Sequence, residues 1–267
     1  MNRASASAKI NLALVVGPKR ADGYHEVATV LQRVGLADRI EINPSERLRV
    51  NGFLGDTLVR QALELLAAET GGCWSAHIEK RIPVASGLGG GSSDAATALA
   101  LANAASPEPL SPERLRAIAA QLGADLPFFL TDGPQLATGR GTELEPVVLP
   151  QDFWVVLVLP HGELKRSTAE VYGAFDGEAG FDERRAALLA GLDAVRRPAD
   201  LAALPQNDLA TSPLADDLRA AGAFRADVSG AGPAVYGLFV RERDATRAGR
   251  RLRARGRVWV TGPAWYG

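Results

Sequence analysis

Between residues 83 and 93 the chain reads Pro-Val-Ala-Ser-Gly-Leu-Gly-Gly-Gly-Ser-Ser, with four glycines in the five positions from Gly87 to Gly91. Such a run in a plain connector would add only conformational entropy to be lost on folding, so it marks a place where the backbone must come close to something. An alternating segment, His77–Ile82, precedes it and predicts a strand, and an alanine-rich segment predicts a helix from about Ser93 to Ala104. Strand, glycine loop and helix start together make a phosphate site. The loop turns several N–H groups to one point, and the helix adds unpaired N–H groups and the positive end of its dipole. Ser92 and Ser93 offer hydroxyls to phosphate oxygens or to Mg²⁺. The loop is not a Walker A loop, which ends in Gly-Lys-Ser/Thr. Nor is it a dinucleotide fingerprint, whose sixth position is glycine and here is Ser92. A flexible hinge is the alternative.

Around this loop the pattern mixes strands and helices. Lys9–Val16 predicts a strand ending at Gly17-Pro18, and Arg39–Asn43 and Leu48–Val50 predict short strands. Leu58–Thr70 carries Val59, Ala62, Leu63 and Leu66 at helical spacing and stops at Gly71-Gly72. Ser111-Pro112-Glu113 is a helix start, with a capping hydroxyl followed by proline, and Gly123 is placed to end that helix. Phe153–Leu159 predicts a buried strand after Pro146 and Pro150, which puts a domain boundary near residue 150. Two or three helices follow. The tail reads strand (Arg225–Val228), glycine loop, strand (Ala234–Val240), helix (Asp244–Arg255) and strand (Val258–Thr261). The expectation is an α+β chain of two domains, 1–150 and 151–267, the second close to a ferredoxin-like layout.

The composition excludes several classes. With 30 Lys and Arg against 31 Asp and Glu, the net charge of -1 is wrong for a protein living on nucleic-acid phosphates. A single cysteine, Cys73, cannot build an internal disulfide and suits a reducing compartment. No stretch approaches the roughly 20 apolar residues of a membrane span. The apolar run Ile10–Val16 is short, interrupted by Asn11, and is not a signal peptide. A cytoplasmic protein is expected. The three histidines, His25, His77 and His161, show no metal-ligand spacing. Six arginines between Arg247 and Arg257 admit a nucleic-acid-binding module, but Ala248, Leu252 and Ala254 alternate with them, as on a solvated helix face.

Pro83-x-x-x-Gly87-Leu88-Gly89-Gly90-Gly91-Ser92-Ser93 resembles the second motif of the GHMP kinases. Ala8-Lys9-Ile10-Asn11-Leu12 resembles their first motif, and Ser229-Gly230-Ala231-Gly232-Pro233-Ala234-Val235 their third, in the same order and spanning most of the chain. Arg20-Ala21-Asp22-Gly23-Tyr24-His25 and Leu122-Gly123-Ala124-Asp125-Leu126-Pro127-Phe128-Phe129 resemble one branch of that family. Its acceptor is a cytidine-diphosphate-linked methylerythritol, phosphorylated on the 2-hydroxyl for non-mevalonate isoprenoid synthesis. A homoserine or mevalonate type of kinase is the alternative, and the Gly-Tyr-His loop argues against it.

The resemblance implies an N-terminal S5-like α/β domain, a C-terminal ferredoxin-like domain and a cleft between them. It implies ATP on the loop of Pro83, Val84, Ala85, Ser86, Gly87, Leu88, Gly89, Gly90, Gly91, Ser92 and Ser93, with Mg²⁺ arriving with ATP and no protein ligand assigned to it. It also implies catalytic roles for Lys9 and Asp125, and substrate contacts from Asn11, Tyr24, His25 and Tyr172. By itself, Lys9 in an apolar strand is either solvent-facing or buried for a purpose. Asp125 alone is a turn aspartate. His25 alone is a loop histidine, and Tyr172 a core tyrosine on a helix. Leu164-Lys165-Arg166 is bulkier and more basic than the resemblance leads one to expect. The expected partner is a small molecule, with no nucleic acid and no membrane, and the chain is expected to be a monomer or weak homodimer.

Overall fold

The computed structural model describes residues 2–53, 55, 57–162, 168–176 and 179–264. The expected segment Leu164-Lys165-Arg166 lies outside them. The chain divides into two compact units, each assembled from separate stretches. Unit 1 is Met1–Ala8, Leu36–Val84 and Gly89–Asp132, and unit 2 is Lys9–Gly35, Ala85–Leu88 and Gly133–Gly267. This division is discontinuous, where the sequence reading draws one cut near residue 150.

Two long strands, β1 (Arg3–Lys19) and β2 (His25–Pro44), pair with each other and contribute to both units. β1 runs past Gly17-Pro18, where it was expected to end. Of β2 only Arg39–Asn43 was expected. Every residue from Val27 to Val34 is buried, so both faces are covered and no alternation marks the strand.

In unit 1, β3 (Arg49–Asn51) runs parallel to β4 (Trp74–Glu79), and β4 runs antiparallel to the end of β2, with Ile40 opposite Ile78. β4 stops before Ile82, short of the expected His77–Ile82, because the N–H groups of Arg81 and Ile82 donate to the Asp38 side chain instead of a neighbouring strand. Helices α1 (Leu58–Thr70), α2 (Gly90–Ala104) and α3 (Pro112–Leu122) cover this sheet. The Ser111 hydroxyl accepts from the Arg114 N–H at 3.3 Å, and Pro112 occupies the first turn, as the sequence predicts. The core joins Ile40, Ile42, Leu63, Leu66, Trp74, Ile78, Leu99 and Ile118, where each large side chain contributes roughly 1.5–3 kcal/mol by leaving water.

In unit 2, β5 (Gln135–Thr138) pairs with the start of β2, Val30 opposite Leu136, and with β6 (Glu143–Pro146). Neither was expected; four-residue strands are too short to show a period. The remaining strands are β7 (Trp154–Pro160), β8 (Arg225–Val228), β9 (Val235–Phe239) and β10 (Gly256–Thr261). They form an antiparallel sheet in the order β10-β7-β9-β8, the ferredoxin-like arrangement expected from the tail. Helices α4 (Thr168–Gly173), α5 (Phe181–Ala194) and α6 (Pro213–Ala220) lie between β7 and β8, and α7 (Glu242–Leu252) between β9 and β10. α7 buries Ala245, Ala248, Gly249 and Leu252 and leaves Arg247, Arg250 and Arg251 outside. Arg247 pairs with Asp244 at 2.8 Å, Arg255 with Asp217 at 2.8 Å, and Arg257 stacks on Trp259 at 5.0 Å. The arginine run is an exposed face on which Arg247, Arg255 and Arg257 have partners within the chain.

Candidate active site

The glycine motif is part loop and part helix. Gly89 caps α2 in the left-handed conformation, φ 71°, which glycine adopts without strain. The helix therefore begins at Gly90, three residues before the expected Ser93, and its first ladder bond runs from Ser93 N–H to Gly89 O at 2.9 Å. Gly90, Gly91 and Ser92 present the N–H groups that a helix cannot satisfy from within. Ser93 is buried, Ser92 and Pro83 are half-buried, and Val84 is exposed. The residues from Ala85 to Leu88 belong to unit 2. There Ala85 carries a positive φ of 63°, and the Ser86 carbonyl accepts from the Ala234 N–H at 2.9 Å. The Ser229 hydroxyl donates to the Gly87 carbonyl at 3.1 Å. Any side chain on Gly87 would run into the Ser229 carbonyl.

Lys9 also meets this stretch of unit 2. Its N–H donates to the Leu88 carbonyl at 2.9 Å, and its side chain, 4% exposed, points inward. The ammonium donates to Asn11 Oδ1 at 2.7 Å. Asn11 Nδ2 donates to the Thr29 hydroxyl at 2.8 Å, and Thr29 donates to the Ala13 carbonyl at 2.6 Å. Residues 9, 11 and 13 share one face of β1. A Cβ on Gly230 would stand 3.4 Å from Lys9 Nζ and 3.5 Å from the Gly87 carbonyl, so the three sequence motifs come together here. The third is pinned by Asn207, which donates to the carbonyls of Val228 at 3.0 Å and Gly230 at 2.7 Å. Asp125 belongs to unit 1, half-buried, where α3 ends at Gly123 and a short 3₁₀ turn, Pro127–Leu130, begins.

His25 and Tyr172, distant in sequence, meet with ring centroids 5.8 Å apart, and Phe175 joins them at 6.0 Å, edge-on to His25. His25 Nδ1 is 2.9 Å from the Gly17 carbonyl, which fixes the ring's orientation. Phe175 also lines a cavity of about 470 Å³ with Val171, Asp176, Arg184 and Asp208. Tyr24 is placed differently: it is 53% exposed and carries the Arg140 guanidinium 5.6 Å from its ring centroid.

Beneath the start of α2, unit 1 buries a charged cluster. Lys80 Nζ donates to Asp38 at 2.6 Å and to Asp94 at 2.7 Å, and both carboxylates are fully buried. The same ammonium would stand 3.3 Å from a Cβ on Gly90. Burial and then the neighbouring Asp38 push the Asp94 carboxyl up to about 8, against the pull of Lys80. Burial alone would lower the Lys80 ammonium, but the two aspartates outweigh it and its pKa is raised.

Thr29, Phe175, Asn207 and the Asp38–Lys80–Asp94 cluster were not anticipated. Thr29 lies in the stretch of β2 without alternation. Lys80 sits in a run, Glu79-Lys80-Arg81, that reads as a solvated strand end. Asn207 follows proline and glutamine and reads as loop.

The family pattern described as GHMP kinases N terminal domain matches residues 57–133, and that described as GHMP kinases C terminal matches residues 201–258. The 4-diphosphocytidyl-2-C-methyl-D-erythritol kinase of Desulfitobacterium hafniense is 38% identical over 96% of this chain and 93% of its own length. This chain belongs to the GHMP kinases. The protein of the same name from Pelotomaculum thermopropionicum is 40% identical over 94% of this chain and 93% of its own. A crystal structure of 4-(cytidine 5'-diphospho)-2C-methyl-D-erythritol kinase superposes with a TM-score of 0.81 at 34% identity, covering 99% of this chain and all of that one. The homoserine kinase of Cytophaga hutchinsonii, TM-score 0.72 at 14% identity, shares the two-domain GHMP fold alone. As a kinase of this family, the chain is a transferase with ATP as co-substrate. No helix among the described residues is long and apolar enough to cross a membrane.

Proposed function

We propose that the chain transfers the γ-phosphate of ATP to the 2-hydroxyl of 4-diphosphocytidyl-2-C-methyl-D-erythritol, in the non-mevalonate route to isoprenoid precursors. The relatives of that name support the reaction. The observation that carries the acceptor is the meeting of His25 and Tyr172 at 5.8 Å, a pair of rings suited to a nucleobase. Phe175 adds a third ring, and the exposed Tyr24 beside Arg140 offers a further flat face.

Phosphoryl transfer is loose, so positioning and charge neutralisation supply most of the acceleration. In this reading, the motif from Pro83 to Ser93 cradles the triphosphate with backbone N–H groups at the start of α2. Asp125 accepts the hydroxyl proton as the acceptor oxygen bonds to the γ-phosphorus and ADP leaves. That role is worth roughly 10²–10⁴-fold. The Lys9 ammonium, aligned by Asn11 and Thr29, faces the transferring phosphoryl group. Asn11 also holds the acceptor. Mg²⁺ comes with ATP as the counter-charge of its phosphates.

The proposal extends to the halves 1–150 and 151–267 as the family's two domains, since one family pattern falls in each. It also extends to a cytoplasmic enzyme that acts as a monomer or weak homodimer without nucleic acid. The decisive measurement is kcat/KM on the cytidine-linked acceptor and on methylerythritol phosphate, which lacks the base. Wild type is expected to use the second poorly. His25→Ala and Tyr172→Ala should each lose roughly 5- to 150-fold on the first, with ATP affinity unchanged. Comparable wild-type activity on both acceptors would remove the cytidine assignment.

A further inference from the structure

The Asp38–Lys80–Asp94 cluster lies against the glycine motif and has no part in the chemistry just described. Counted as fully ionised, it has two negative charges and one positive. Its two carboxylates are not equivalent. Asp38 accepts from Lys80 through one oxygen and from the N–H groups of Arg81 and Ile82 through the other, so both its oxygens are satisfied as a carboxylate. Asp94 accepts from Lys80 through Oδ2, while its Oδ1 is buried and has no hydrogen-bond partner among the described residues. A bare carboxylate oxygen in an apolar surrounding is costly, and a proton on it relieves the cost. The described residues that share a core with α2 are apolar. α1, α3 and the turn after it contribute Val59, Leu63, Leu66, Leu115, Ile118 and Leu126 to the shared core, and the groups acting on Asp94 are Asp38 and Lys80.

Asp94 is the fifth residue of α2, about 6 Å along the axis from Gly90. Negative phosphates at that helix end strengthen the hold of Asp94 on a proton, and by reciprocity the proton favours the phosphates. We propose that Asp94 is a positioning residue whose proton is coupled to nucleotide: the cluster anchors the first turns of α2 and takes up a proton when a triphosphate settles at its N-terminus. The inference rests on the reading of the motif as the ATP cradle. With the Asp94 carboxyl near 8 in the free protein, affinity falls as pH rises through that value and levels off above the higher pKa of the complex.

The test is calorimetric titration of the whole chain with the magnesium salt of a non-hydrolysable ATP analogue, without acceptor, from about pH 6 to about pH 10. Each titration is run in two buffers of different ionisation enthalpy. Wild type should take up protons most strongly just above pH 8, beyond what the analogue's own phosphate accounts for. Its affinity should weaken about tenfold for each unit by which the phosphates raise the Asp94 pKa. Asp94→Asn, neutral at every pH, should lack both the extra uptake and the extra loss. Should that variant fail to fold, proton uptake by wild type decides alone. Uptake equal to the analogue's own overturns the coupling and leaves the cradle standing. No binding by wild type at any pH overturns the cradle, and the coupling with it.

Discussion

Arg225 in unit 2 and Lys80 in unit 1 are both cations held inside the protein beside aspartates, and their surroundings have little else in common. Arg225 donates to the carbonyls of Leu201, Leu204 and Pro205 at 3.0, 2.7 and 2.7 Å, and to the Tyr236 hydroxyl at 3.2 Å. Asp227 stands at 3.4 Å and accepts in turn from the backbone of Asn207 and Val228. One positive charge faces one negative, and the fork geometry of the guanidinium suits converging carbonyls. Burial raises Asp227, opposed by Arg225 and those two N–H groups, and raises Tyr236 to about 12. Lys80 has a compact ammonium, two aspartates and one oxygen left bare. The first cluster is closed and ties β8 to the loop before α6. The second is balanced only while Asp94 keeps its proton, and it lies at the end of the helix that the proposal gives to ATP. A balanced, fully bonded cluster holds a fold, whereas an unbalanced one responds to charge brought near it.

The sharpest way to break that contrast is Arg225→Met. It strands Asp227 and removes the donor to three carbonyls, so a loss of about 3–5 kcal/mol is expected in denaturant unfolding. A loss below about 1 kcal/mol would place Arg225 among ordinary ion pairs. Next in size is Asp125→Asn, a change in unit 1 outside the cluster. It should lower kcat by at least about 10²-fold, equivalent to about 2.7 kcal/mol, with unfolding and ATP-analogue affinity unchanged. Turnover within a few-fold of wild type would remove Asp125 as the base.

The most gradual effect, spread over several units of pH, concerns stability itself. The folded Asp94 value of about 8 lies above the ordinary 3.8, so the folded protein holds the proton longer than the unfolded chain. The contribution is full below about pH 4, declines at up to about 1.4 kcal/mol per unit between the two values, and is gone above about pH 8. Wild type should therefore lose stability relative to Asp94→Asn across that window. Parallel curves would make the Lys80 cluster as closed as that of Arg225.

The same contrast sets what sequence reveals. The glycine motif, the Ser111 cap and the succession of strand, loop, strand, helix and strand in the tail are local: each depends on residues a few positions apart, and each was readable. Within the site, Lys9, Asn11 and His25 were reached through motif resemblance, and the structure adds that Lys9 and Asn11 are hydrogen-bonded beside Thr29 while His25 meets Tyr172 and Phe175. The Lys80 cluster was not readable. It joins β2, the end of β4 and α2, and nothing about Asp38 or Asp94 taken singly separates them from a turn or a solvated helix. The continuous burial of β2 erased the two-residue period that would have shown it as a strand.

The grip of Ser229 on Gly87 bears on how such a chain can vary over generations. Two glycine loops 142 residues apart form one mechanical part, with a carbonyl occupying the space a side chain at Gly87 would need. A hybrid gene joining the front of one relative to the back of another would keep that part only where glycine stands at 87 and a hydroxyl residue at 229. Recombination should therefore succeed where both loops come from one parent, and substitutions near Gly87 should be accepted together with changes around Ser229.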